Sequence, residues 1–234
     1  QMRLRRWAVE REQARGLRSG ETPMGGGVLA GLTLILREPL MRWMAATVVL
    51  GVGVGTLLYN EQAEIVRRSY ADARAATAYY ANIDLAINAL TLFVQVFVTR
   101  WLLSRFGIRP ALLLPALGVF LGYAALAASP LPVLVAIVQV ITRSSEFCLS
   151  KPARETIYTQ VPREWRYKAG AAIDTVVYRG GDLTFVWAHK VLSAFGSTVV
   201  FGAGMVIACG FGFSAFSLWR EQRRLPAART VGTD

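Results

Sequence analysis

The sequence is poor in the residues that most often carry chemistry. Its two cysteines, Cys148 and Cys209, both sit in apolar runs. They form neither a disulfide framework nor a metal-ligand spacing, and they read as small apolar fillers. The one histidine, His189, has no ligand-spaced partner and reads as a satisfied interfacial side chain. Charge is scarce, with 18% of residues Asp, Glu, Lys or Arg. No Ser/His/Asp, Cys/His or paired-carboxylate constellation assembles, so no enzyme, metal site or cofactor is expected. No secretory signal is visible.

What is present is apolar length. Of 234 residues, 54% are hydrophobic, and they cluster into long runs rather than amphipathic periods. Runs near 20 residues can cross a hydrocarbon core of roughly 30 Å as a helix. The net charge is +11. On a soluble protein that excess would point to nucleic acid. Here the basic residues fall between apolar runs, so membrane topology explains them and nucleic acid is not an expected partner.

Residues 1–38 read as a basic cytoplasmic linker. It contains the flexible break Gly25-Gly26-Gly27 and an interfacial helix near 28–40 that is too short to span. Six spans are expected, at about 39–60, 79–101, 109–128, 131–150, 169–190 and 196–219, followed by a tail at 220–234. The fifth is the least apolar. The chain opens on Gln1 with a basic tail, so a piece of a longer protein is expected.

With six spans, four basic segments share one side. These are the N-terminal tail, the Arg100–Arg109 link, the Lys151–Lys168 link and the tail with Arg220, Arg223, Arg224 and Arg229. On the other side Arg67, Arg68 and Arg74 are offset by Glu61, Glu64 and Asp72. The asymmetry places both termini of a multi-pass membrane protein in the cytoplasm.

Polar residues inside spans are costly and should face protein or water. At about 100° per position they form stripes. In the second span these are Asp84, Asn88, Thr91 and Gln95; in the fourth, Gln139, Arg143, Glu146 and Ser150. In the fifth, Asp174, Tyr178, Asp182 and His189 share a face with Arg179 at its margin. The first span carries Thr47, Gly51, Gly55 and Tyr59 in line. The third and sixth carry no charge within their apolar runs and should face lipid. This division fits a six-helix half of a major facilitator superfamily transporter, an all-α integral membrane fold of two inverted three-helix repeats. The two halves of such a transporter rock about a midplane site.

Several motifs have plain alternatives. GVGVG at 51–55 lacks a preceding strand and a Gly-Lys-Ser/Thr, so it reads as helix packing rather than a nucleotide loop. Arg143 and Glu146 read either as an internal ion pair or as a gate or substrate contact. Asp182 has Arg143 and Arg179 as candidate partners. Pro152 and Pro162 look like two short helix starts in the 151–168 link. Its dense Arg, Lys and Glu suit a latch that holds one conformational state.

SKPARETIYT at 150–159 and REWRYKAGAAIDTVVYRGGD at 163–182 resemble the signature of bacterial NTP/NDP exchange transporters, the ADP,ATP carrier-like family. GGGVLAGLTLILREPLMRW at 25–43, LLYNEQAEIV at 57–66 and LTLFVQVFVTRWLLSRFGIRPALLLPALG at 90–118 are similar to the same family. Arg105-Phe106-Gly107-Ile108-Arg109 resembles the degenerate loop motif of facilitator halves, with Ser104 where its acidic residue would stand. The resemblance implies the C-terminal half of a twelve-helix facilitator that exchanges ATP for ADP. Its partners would be the bilayer, an N-terminal six-helix half and an anionic small molecule. Arg143 and Arg179 would then attract phosphate, with Asn88, Gln95, Gln139 and Tyr178 as hydrogen-bond partners. Asp84, Glu146, Asp174 and Asp182 would hold the arginines or carry a proton. Arg105, Arg109, Lys151, Arg154 and Glu155 would form the cytoplasmic gate. The alternatives are a proton-coupled facilitator for another organic anion, and a non-transporting membrane scaffold.

Overall fold

The computed structural model describes residues 28–225, and the basic tail, the glycine break and Arg229 lie outside them. The described residues are helical, with no strand among them. We number the helices α1 (Val28–Arg37), α2 (Pro39–Ser69), α3 (Ala73–Phe106), α4 (Ile108–Ala128) and α5 (Pro132–Tyr158). Helix α6 joins the segments Arg163–Ala172, Ile173–Val177 and Tyr178–Ser193, and α7 is Ser197–Gln222.

Five of these, α2, α3, α4, α5 and α7, are long and apolar enough to cross a membrane. The chain is therefore an all-α protein with the helices of a multi-pass membrane protein. Helix α6 is as long but carries Lys168, Asp174, Arg179, Asp182 and Lys190, which keep it below that apolarity.

Local chemistry sets the breaks. Glu38 precedes Pro39 and is extended (φ −96°, ψ 118°), as the proline ring requires of its predecessor. That ends α1 and starts α2. Between α3 and α4 the whole turn is Gly107 at φ 70°, and Gly196 at φ 99° opens α7. Both sit where a side chain would be strained. Pro152 and Pro162 stand at the starts of helical segments, Pro152 in the first turn of Lys151–Tyr158 and Pro162 as the cap before Arg163.

The helices overrun the expected spans. Helix α2 continues through Glu61–Ser69, where Ile65 and Val66 are buried and Glu64 bonds Arg67 at 2.8 Å and Arg68 at 2.7 Å. What remains of the expected 61–78 link is a break at 70–72, where the Asp72 carboxylate accepts from the Arg74 amide. Lys151–Tyr158 continues α5 instead of lying in a loop.

Helix α2 is the centre, packed against α5, α6 and α7. Helices α4 and α7 pack on each other, and α3 leans on α5. The core has two clusters, one around Met41, Met44, Ile157, Ile173 and Leu218 and one around Val54, Leu58, Tyr123, Leu126 and Phe201. Helix α1 is not isolated from the bundle. It docks on the start of α6, where a side chain at Gly31 would strike the Lys168 carbonyl and the Ala172 side chain.

Candidate functional site

Three helices depart from α geometry, and they are the three that carry the charged stripes. Val94–Thr99 in α3, Glu146–Ser150 in α5 and Ile173–Val177 in α6 are π-helical. A π segment widens the helix and redirects carbonyls, and such segments recur at functional sites. The first two face each other. Gln95 Nε2 donates to the Phe147 carbonyl at 3.1 Å and Thr99 Oγ1 to the Cys148 carbonyl at 2.8 Å. Side chains of one irregular segment thus satisfy carbonyls of the other.

The stripe residues of these helices lie mostly on open surface. Asp84, Asn88, Gln95, Arg143, Asp174, Tyr178 and Arg179 are exposed, and Glu146 and Asp182 are half-buried. The expected stripe residue Gln139 is instead buried with its Oε1 unpartnered. Arg143 reaches Asp84 across the α3–α5 contact at 3.9 Å, a loose and exposed pair. Such pairs contribute about 0–1 kcal/mol in water. Both groups stay accessible to a third charge. Arg179 has no ion-pair partner among the described residues.

Two candidate pairings are replaced by others. Glu146 does not pair with Arg143 on its own helix. It accepts from Arg154 at 3.0 Å, a charge-assisted bond to a guanidinium that is 13% exposed. A residue expected in the cavity and one expected in the gate are therefore joined across the α5 irregularity. Asp182 meets neither arginine. It accepts from Thr56 Oγ1 at 2.6 Å.

The remaining gate residues gather at one end. Arg109 lies over the Trp219 ring at 4.8 Å, with Arg223 at 5.4 Å from the same ring. Gln222 donates to Gln160 at 2.8 Å, tying α7 to the α5–α6 link. Arg105, Lys151 and Glu155 are exposed.

Helices α2 and α6 run in the same direction along one seam. Gly181 meets Val49, Gly53 meets the Phe185 ring, and further along His189 meets Glu61. Gly53, rather than Gly55, is the close-packing glycine, while Gly51 meets Phe211 of α7. Thr47 likewise bonds Ser214 of α7 at 3.2 Å, so the Thr47 and Gly51 part of the stripe packs on α7, while Gly55 has open space beside it and Tyr59 is exposed. Glu61 is the functional candidate that sequence reasoning placed in a loop. It is 1% exposed, and one of its oxygens lies 2.9 Å from His189 Nε2. Its only sequence signal is the unbroken helical run from α2, with apolar Ile65 and Val66 one turn beyond.

No family model, curated protein or solved structure matches the chain.

Proposed function

We propose that the chain is the C-terminal six-helix half of a major facilitator transporter, with α6 as the sixth crossing, working by alternating access. The observation that carries this reading is the arrangement of α3. Its apolar window is 11% buried against 50% for α2, yet it bears Asp84, Asn88 and Gln95. A helix that exposes both lipid-compatible and charged surface suits a position between bilayer and a second half. The outer residues of α4 and α7 are apolar, such as Leu117, Leu121, Val206 and Phe213, which suits lipid on that side. An N-terminal half would close the polar face into a path.

The cargo we propose is nucleotide, exchanged as ATP for ADP across the bacterial inner membrane with both ends of this segment cytoplasmic. Arg143 and Arg179 supply accessible positive charge on α5 and α6, which suits phosphate. Arg154–Glu146 and the arginines around Trp219 form the cytoplasmic latch. The test is uptake of labelled ATP into ADP-loaded liposomes by the full-length protein. Uptake that needs internal ADP and is lost in Arg143→Ala supports the reading. Absence of exchange counts against the nucleotide cargo. A second reading, proton-driven movement of another organic anion, is favoured by the Glu61–His189 contact, and uptake driven by a pH gradient without counter-substrate would support it.

A further inference from the structure

The α2–α6 seam holds two ionisable side chains that the exchange reading does not use. Glu61 comes from α2 and His189 from α6, 128 positions apart, and they meet at 2.9 Å. Their side chains are 2% and 13% exposed. The contact lies at the end of the bundle opposite the Trp219 arginines, beyond the Gly53–Phe185 and Thr56–Asp182 contacts.

Charge neutrality governs such a contact. With one proton the pair is neutral overall, whichever partner carries it. With none it is a carboxylate beside neutral imidazole, net −1. With two it is a carboxylic acid beside imidazolium, net +1. Burying an uncompensated charge costs far more than burying a neutral, hydrogen-bonded pair. The groups around it offer little compensation. On α2 the next carboxylate, Glu64, is already held by Arg67 and Arg68. On α6, Lys190 turns its ammonium over the Trp187 ring at 5.1 Å, and Asp182 is bonded to Thr56. On α4 the nearby ionisable group is Tyr123, whose hydroxyl donates to the Val54 carbonyl. The adjoining starts of α5 and α7, residues 132–139 and 197–204, contain no ionisable side chain, and at the start of α3 the Tyr79 hydroxyl donates to the Pro132 carbonyl at 2.7 Å.

We infer that Glu61 and His189 form a proton-binding site that closes this end of the α2–α6 seam only when it holds a single shared proton. Opening the seam lets water reach both groups. The imidazolium then gives its proton to water, or the carboxylate takes one from it, and the seam recloses once the pair is neutral again. The site makes a proton the coupling ion for movement of α6 against α2. This rests on the alternating-access reading but not on any cargo.

The test reads the seam directly. In the full-length protein in liposomes, Cys209→Ser removes the exposed thiol and Phe185→Cys places a reporter in the seam. Labelling by a membrane-impermeant maleimide is followed against pH, normalised to the reagent's reaction with a free thiol at each pH. A shared proton predicts a minimum at intermediate pH. On either side labelling rises up to about tenfold per pH unit, the limiting slope for one linked proton. Glu61→Gln leaves the acid limb only, because imidazolium is then unpaired. His189→Gln leaves the alkaline limb only, because the carboxylate is then unpaired. The double Gln variant keeps neutral hydrogen-bonding groups in both places and gives a flat profile. If a single variant fails to fold, wild type against the double variant still decides. A flat or one-limbed wild-type profile, or a double variant that follows wild type, overturns the inference. Failure of ATP exchange with a two-limbed labelling profile would remove the cargo and leave the proton site.

Discussion

Between α4 and α7, the Tyr123 ring occupies the space that a side chain on Gly204 would need. Between α3 and α5, the joints are Gln95 and Thr99 donating to two carbonyls of a π segment. The first contact depends on shape and buries Tyr123 and Phe201 completely. Close packing of this kind resists deformation. The second depends on a few hydrogen bonds beside exposed charge. Such bonds can be exchanged for water or for a ligand at modest net cost. On the transport reading proposed above, the first pair of helices stays and the second rearranges. In a transporter those roles suit a lipid-facing support and a moving wall.

The comparison breaks most easily at Gly204. Gly204→Val drives a branched side chain into a buried ring, and we expect a loss of about 3 kcal/mol or failure to fold. Unfolding by SDS in mixed micelles measures it. Thr99→Val comes next. It removes the hydroxyl whose one proton is shared between the Cys148 carbonyl at 2.8 Å and the Val94 carbonyl at 3.1 Å. Its cost should be about 1–2 kcal/mol in the same assay, since the buried Cys148 carbonyl loses its side-chain donor. Arg109→Ala removes one of the two guanidiniums over Trp219, and a stability loss of about 0.5–1 kcal/mol is expected from the cation–π contact. Arg143→Ala sharpens the contrast. Its pair with Asp84 is long and exposed, so unfolding should shift by less than about 1 kcal/mol. ATP exchange by the same variant should nevertheless fall to background. An Arg143→Ala protein that unfolds early would place this residue among the supports instead.

Much of the architecture was readable because the bilayer imposes length and apolarity on helices. The runs behind α2, α3, α4, α5 and α7 needed only that rule. Pro39 and Pro162 punctuate the chain in the sequence and in the structure, since a proline ring fixes its neighbours locally, whereas the helix start expected at Pro152 lies inside the continuous α5. The overrun of α2 through Glu61 and Gln62 was not readable. Polar residues after an apolar run look like a loop until a distant partner is known, and His189 arrives from α6. The π segments were hidden for a related reason. In α5 the Phe147 and Cys148 carbonyls are satisfied by side chains about 50 positions away, and the one local signal is Pro152, which has no N–H for the Cys148 carbonyl four residues back. The stripes on α3, α5 and α6 could be drawn on a wheel, but their pairings could not. Arg154 takes Glu146 and Thr56 takes Asp182, each across a turn or seam that the wheel does not represent.

On the transport reading, the polar face of α3 lines a water-filled path open to each side in turn. Asn88 is exposed on that face, between Asp84 and Gln95. An Asn88→Cys reporter in a Cys209→Ser background, in the full-length protein in sealed liposomes, tests it directly. A membrane-impermeant thiol reagent is added outside in one sample and enclosed inside in another. Labelling from both sides is expected, with a bound cargo slowing both. Labelling from neither side would place this face against lipid and contradict the account.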